Sequence, residues 1–290
     1  MPPGDLLIVI LQLWSGFIGS DPVRLSANLS MLYTELPFLK RFTAARRDGF
    51  RAVEIQFPYD VPIADIRRAL TDNDQRCVLI NVPAGDLMDG GEGLASVPRK
   101  TAEYAAAMVE CLAYARGLNV PAVNVLPGRC FQPERREDYL ATFKKNLVVT
   151  ADSLAPFGII TTFEAINRFD MPDFLLSTGH EMLAILNELE HPSIRAQFDI
   201  YHMSRMGVDV PGFLKRHARK IGHIQFADMP GRQEPGTGRL PFREIFGVIA
   251  KSGYTGWVGA EYRPSMATPA TMGWLRDLQS WYPQALEPLE

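Results

Sequence analysis

From Arg24 onward the chain alternates eight times between a short apolar run and a longer stretch of helical period. That alternation, more than any motif, limits what the chain can fold into. The runs are rich in β-branched and aromatic residues, and strands are expected to start near Arg24, Ala52, Arg76, Pro121, Ile159, Ile194, Ile221 and Gly256. Between them, apolar residues recur at three and four positions, as in Leu140, Phe143, Leu147, Ala151 and Leu154, or Met108, Cys111, Leu112 and Ala115. Helices are expected to stop at Gly49, Gly117, Gly158 and Gly253, because glycine tolerates the left-handed backbone that ends a helix. Eight strand-then-helix units without a long linker predict an α/β fold, a single (β/α)8 barrel over residues 24–290. An open doubly wound sheet would usually carry a glycine-rich phosphate turn after its first strand. Here Asn28-Leu29-Ser30-Met31 follows instead.

Composition excludes several classes. The formal net charge is −3, so no basic footprint marks nucleic acid as a partner. The three cysteines, Cys77, Cys111 and Cys130, form no C-x-x-C pair and suit a reducing cytoplasm, where they read as small core residues. Residues 1–23 do not match the rest. Leu6 to Ile18 is largely apolar, yet no Lys or Arg precedes Arg24, as a secretory signal would require. The stretch is also shorter than the roughly 20 residues needed to span a bilayer. It reads as an extension outside the barrel, with no membrane span expected.

Four of the later strands each end in one polar side chain. Ile159 to Phe163 leads into Glu164, Ile194 to Phe198 into Asp199, Ile221 to Ile224 into Gln225, and Trp257 to Ala260 into Glu261. Successive members lie 35, 26 and 36 residues apart, about one strand–helix unit each. In a barrel they would converge at the C-terminal mouth, where active sites sit. An acid beside an apolar run is costly to bury without a cation. Three carboxylates and an amide oxygen suit Mg²⁺ or Mn²⁺.

The flanking residues add chemistry. Asn167, His202 and Asp228 each follow one of these positions by three, and Arg232 lies in the glycine-rich loop Gly231 to Gly238. His202, Arg232, Asn167 and Asn81, which closes the third run, are the expected substrate contacts. His223, two residues before Gln225, is expected to support it from the same strand face. His180, His191 and His217 read as surface residues. The glycine-rich loop lacks a Walker lysine, which argues against a nucleotide site.

Several segments carry a family likeness: Ser26-Ala27-Asn28-Leu29-Ser30-Met31, Phe57-Pro58-Tyr59-Asp60, Pro83-Ala84-Gly85-Asp86 and Phe198-Asp199-Ile200-Tyr201-His202. To these belong Gly222-His223-Ile224-Gln225, Glu234-Pro235-Gly236-Thr237-Gly238 and Gly256 to Tyr262. In them the chain resembles the hydroxypyruvate isomerase family of the xylose-isomerase-like barrels, from Arg24 to about Trp274. The resemblance implies Glu164 and Glu261 as the catalytic pair, and Glu164, Asp199, Gln225 and Glu261 as ligands of a divalent metal. It implies interconversion of hydroxypyruvate and tartronate semialdehyde, a small hydroxy-keto acid reaction of glyoxylate metabolism that proceeds through an enediol. Related ketose epimerases carry histidine where this chain has Gln225. The alternatives are a four-carbon 2-oxo-tetronate isomerase, a metal-dependent nuclease on the same barrel, and a non-catalytic sugar-acid binder. A homo-oligomer is compatible with the sequence, because Trp274 and Trp281 suit either the barrel or a neighbouring copy.

Overall fold

A computed structural model describes residues 23–283 of the protein, so the apolar stretch at residues 6–18 lies outside the described residues. Eight strands pair in parallel and close on themselves. In chain order the elements are β1 (Arg24–Asn28), α1 (Phe38–Arg47), β2 (Ala52–Ile55), α2 (Ile63–Asp72), β3 (Arg76–Asn81) and α3 (Thr101–Gly117). There follow β4 (Ala122–Val125), α4 (Arg136–Leu154), β5 (Ile160–Glu164), α5 (Gly179–Leu189) and β6 (Ile194–Asp199). The chain ends through α6 (Ile200–Arg205), α7 (Val210–His217), β7 (Ile221–Phe226), α8 (Phe242–Lys251), β8 (Trp257–Ala260) and α9 (Gly273–Trp281). Each strand begins within one residue of its expected start.

Pairing of β1 with β8, from Arg24 opposite Trp257 to Ala27 opposite Ala260, closes the barrel and rules out the open sheet. The apolar stripes face the strands as their spacing requires. Phe143, Leu147, Ala151 and Leu154 of α4 are buried, and Phe143 meets Phe163 of β5 edge-on at 5.8 Å. Phe198 of β6 stacks on Phe213 of α7 at 4.6 Å. Trp274 is buried against Phe226 and Phe50, so it covers its own barrel. All three cysteines are free and buried. Among the described residues no helix is long and apolar enough to cross a membrane.

Gly49, Gly158 and Gly253 do take positive φ, but Gly117 does not. It closes α3 from inside the helix, and Asn119, at φ 53°, makes the left-handed turn. Gly117 answers a packing need: a Cβ there would lie 2.6 Å from Cγ2 of Ile63.

Polar residues fill the barrel's middle. Glu54 of β2 is 1% exposed, and its carboxylate accepts from Ser26 Oγ, Asn28 Nδ2, Gln225 Nε2 and His223 Nε2. His223 thus supports the site at 2.6 Å from Glu54, on the strand face expected of it. Gly259 of β8 makes the room, since a Cβ there would stand 2.2 Å from Glu54 Oε2. With four donors holding the carboxylate, two of them on that oxygen, it cannot swing aside. Gly259→Ala is therefore expected to lower unfolding free energy by about 1–3 kcal/mol, as overpacking does. At Gly273, where nothing lies within 4 Å, alanine is expected to be silent. Urea titration of the two variants compares them.

Candidate active site

The parallel strands deliver Glu164, Asp199, Gln225 and Glu261 to one end of the barrel. Glu164 and Asp199 are the last residues of β5 and β6, Gln225 is the next-to-last of β7, and Glu261 follows β8 directly. All four are buried. Asp199 also caps α6, its Oδ1 accepting from the backbone N–H of His202 at 3.1 Å. This explains why an acid followed by an apolar residue and a histidine sits at that strand end: the carboxylate begins the next helix and turns His202 inward.

The acids are tied together by amides and one guanidinium. Glu164 Oε1 accepts from Asn124 Nδ2 at 2.8 Å and Gln197 Nε2 at 3.2 Å. Glu261 Oε1 accepts from Asn28 Nδ2 at 3.0 Å and Gln56 Nε2 at 2.6 Å. Arg232 Nη2 donates to Glu261 Oε2 at 3.0 Å and lies 3.9 Å from Asp199 Oδ2. Gln225 bridges: its Nε2 donates to Glu54 and its Oε1 accepts from Gln197 Nε2 at 2.7 Å.

Burial dominates the electrostatics. Burial, aided by the neighbouring Asp199 charge, pushes the Glu164 carboxyl up to about 8, against the pull of Asn124, Arg232 and Gln197. Glu261 is raised well above the usual carboxylate range by burial; Arg232 opposes this, while Asp199, Glu164 and Glu54 reinforce it. Burial holds the His202 ring down at about 4, so it is neutral near pH 7. Arg232 keeps its charge, because the surrounding carboxylates outweigh its burial.

His202 has a defined tautomer. Asn167 Oδ1 accepts from the backbone N–H groups of Phe169 and Asp170, which turns its Nδ2 toward His202 Nδ1 at 2.7 Å. Nδ1 therefore accepts, and the ring proton sits on Nε2, 3.5 Å from Asp199 Oδ2. Asn167 is thus placed to aim His202. Asp228, flagged by its spacing, does something else: it accepts from the backbone N–H groups of Met229, Gly236, Gly238 and Leu240 and shapes the glycine-rich loop. Of the other histidines, His180 is exposed, whereas His191 and His217 are half-buried against Asp152 and Phe213.

The donor set fits a divalent cation. One ligand atom each from Glu164, Asp199 and His202 lies within 4.8 Å of the others. Asp199 Oδ2 is buried with no hydrogen-bond partner, a costly state for an ionised oxygen unless a cation satisfies it. The imidazole fits less well than the carboxylates, since its cavity-facing nitrogen carries the proton. Gln225 Oε1 is engaged by Gln197 but keeps a second lone pair.

Glu164, His202, Arg232, Glu261 and Asn81 line a cavity of about 260 Å³. A larger cleft of about 680 Å³, lined by Arg24, Arg76 and Trp257, opens at the strands' other end and contains none of these residues. Sequence reasoning missed Asn28, Glu54, Gln56, Asn124 and Gln197, which hold the acids. The available signal was a polar residue inside or just after an apolar run, as in Ala-Val-Glu-Ile or Ala-Val-Asn-Val.

Comparison with known proteins agrees with this architecture. The family model described as xylose isomerase-like TIM barrel matches residues 42–278. The chain is 39% identical over 253 residues to the hydroxypyruvate isomerase of Escherichia coli (strain K12), covering 87% of this chain and 98% of that protein. It is also 39% identical over 253 residues to the 2-oxo-tetronate isomerase of Cupriavidus necator, covering 87% and 97%. Among solved structures, an "AP endonuclease, family 2" from Brucella melitensis superposes with a TM-score of 0.85 at 32% identity, covering 88% of this chain and 98% of that one.

Linkage between protonation and folding gives these shifts a measurable sign. The folded-state pKa of Glu164, about 8, lies above its ordinary 4.5, so the folded protein binds more protons than the unfolded chain between those values. Stability then falls as pH rises through that window. His202, lowered from 6.5 to about 4, acts in the opposite sense, but only below 6.5. With chelator present, Tm is expected to fall between pH 6.5 and pH 8, and to fall less in Glu164→Gln. Mg²⁺ or Mn²⁺ at pH 8 should restore it in a concentration-dependent way. A Tm equally flat in both proteins would contradict this account of Glu164.

Proposed function

The chain belongs to the xylose-isomerase-like TIM barrels and is an isomerase of the hydroxypyruvate isomerase type, and on that premise we propose that it interconverts hydroxypyruvate and tartronate semialdehyde. The observation that carries the reading is that two buried glutamates, at the end of β5 and just past β8, line one small cavity with their pKa values raised. Carboxyl groups so placed can both take and return a proton.

In the forward direction, one glutamate removes a proton from the hydroxymethyl carbon. The released electron pair forms the carbon–carbon double bond of the enediol, and the former carbonyl oxygen is protonated. The hydroxyl on the terminal carbon then loses its proton to become the aldehyde, and the central carbon gains one. A divalent cation held by Glu164, Asp199 and Glu261, with the free lone pair of Gln225, would supply Lewis-acid polarisation of the substrate oxygens. His202, its Nε2–H toward the cavity and Asn167 behind it, donates to a substrate oxygen. Arg232 orients Glu261, and Asn81 contacts the substrate from the end of β3.

A four-carbon 2-oxo-tetronate is the second reading, favoured by the equal 39% identity to the Cupriavidus necator isomerase. Comparing kcat/KM for hydroxypyruvate with that for 2-oxo-tetronates decides between them. Glu164→Gln and Glu261→Gln are each expected to lower turnover by about 10²–10⁴-fold with the circular dichroism spectrum unchanged. Reaction in deuterated water should place deuterium on the newly protonated carbon. Near-normal turnover in both variants would remove the two-glutamate mechanism.

A further inference from the structure

We propose that Arg263 binds the substrate's carboxylate at the cavity rim and so makes the enzyme selective for 2-oxo acids over neutral ketoses. This rests on the isomerase reading above and names the residue that selects its substrate class.

Three arginines line the cavity: Arg129, Arg232 and Arg263. They differ in what they are already bound to. Arg232, one of the expected substrate contacts, donates Nη2 to Glu261 and sits 3.9 Å from Asp199, so although its Nε is buried without a partner its charge already faces two of the protein's own acids. Arg129 turns Nη1 to the carbonyl oxygens of Leu87 and Gly91, at 2.8 and 2.9 Å, which pins it to the wall. Arg263 is exposed, and among the described residues its guanidinium has neither an ion pair nor a hydrogen bond. Its position is nevertheless fixed at the base: its backbone N–H donates to the carbonyl of Arg232 at 2.7 Å. Between Glu261 and Arg263, Tyr262 is buried, with its hydroxyl against Thr271. Glu261 and Arg263 both line the cavity, the acid buried and the arginine exposed.

Charge then orients the substrate. With a divalent cation bound, the three carboxylates Glu164, Asp199 and Glu261 balance the cation and the Arg232 guanidinium, so the inner wall offers a substrate carboxylate no net positive charge. The two carbons that exchange the proton must lie between the glutamates. In a 2-oxo acid the carboxylate is bonded directly to one of those carbons, so it must point away from the acids, toward the mouth. Arg263 offers a planar fork suited to bidentate carboxylate binding there. Three- and four-carbon 2-oxo acids place this group alike. Arg263 therefore reads the acid and not the chain length.

The test uses the full-length enzyme with Mg²⁺ and measures both kinetics and binding. Arg263→Ala is expected to raise KM for hydroxypyruvate roughly 10–100-fold, with a much smaller change in kcat. Calorimetry with glycerate, an unreactive carboxylate analogue, should show a similar loss of affinity, while glyceramide, its neutral amide, should bind no worse than to the wild type. Arg263→Lys, which keeps the charge but not the fork, should fall between. Unchanged KM and glycerate affinity in Arg263→Ala would overturn the proposal, as would an equal loss for glyceramide or a full loss in Arg129→Ala alone. Absence of wild-type turnover on any 2-oxo acid would instead defeat the isomerase reading, and glycerate binding would still report on Arg263.

Discussion

One buried carboxylate organises the middle of the barrel. Glu54 starts on β2 and reaches over β1 and β8 to meet His223 and Gln225 of β7. A carboxylate offers about four lone-pair sites, and its neighbours supply four donors. Leaving one such charge buried and unpaired costs several kcal/mol, so the surrounding residues are constrained together. Ser26 and Asn28 must present donors from β1, β7 must present an amide and an imidazole, and β8 must present no side chain at all at Gly259.

The same carboxylate fixes the layer above it. Asn28 divides its amide between Glu54 and Glu261. Gln225, anchored on Glu54, orients Gln197, which in turn donates to Glu164. The two proposed proton carriers are therefore joined through a continuous run of hydrogen bonds across the barrel floor. Networks of this kind hold side chains in one arrangement, because every member loses a partner if one rotates. The acids they hold leave the site with a surplus of negative charge, which suits a cation and adds to the burial that raises the carboxyl pKa values.

Much of this was legible in the sequence, for physical reasons. Strand starts were readable because the runs at Ile194 or Ile221 are short, apolar and bounded by helical periodicity. The convergence of Glu164, Asp199, Gln225 and Glu261 followed from a barrel's parallel strands, which bring their C-terminal ends to one face. What was not legible was how each side chain is spent. Nothing in Gly231 to Gly238 says that Arg232 turns back onto Glu261, or that Asp228 binds backbone rather than substrate. Glu54 and Gln197 were missed because a polar residue inside a strand is ordinarily solvent-facing, and only closure of the barrel converts that position into its interior. α3 does end at Gly117, but without the left-handed backbone expected there, because a glycine demanded by a neighbouring helix looks, in sequence, like one that turns the chain.

The loop after β7 has a consequence of its own. Arg232 holds a left-handed backbone at φ 56°, unusual for a residue with a side chain, and Asp228 grips the loop through four peptide N–H groups. The guanidinium thus stands in place before any ligand arrives. Molecules entering the mouth therefore meet this side of the wall already formed.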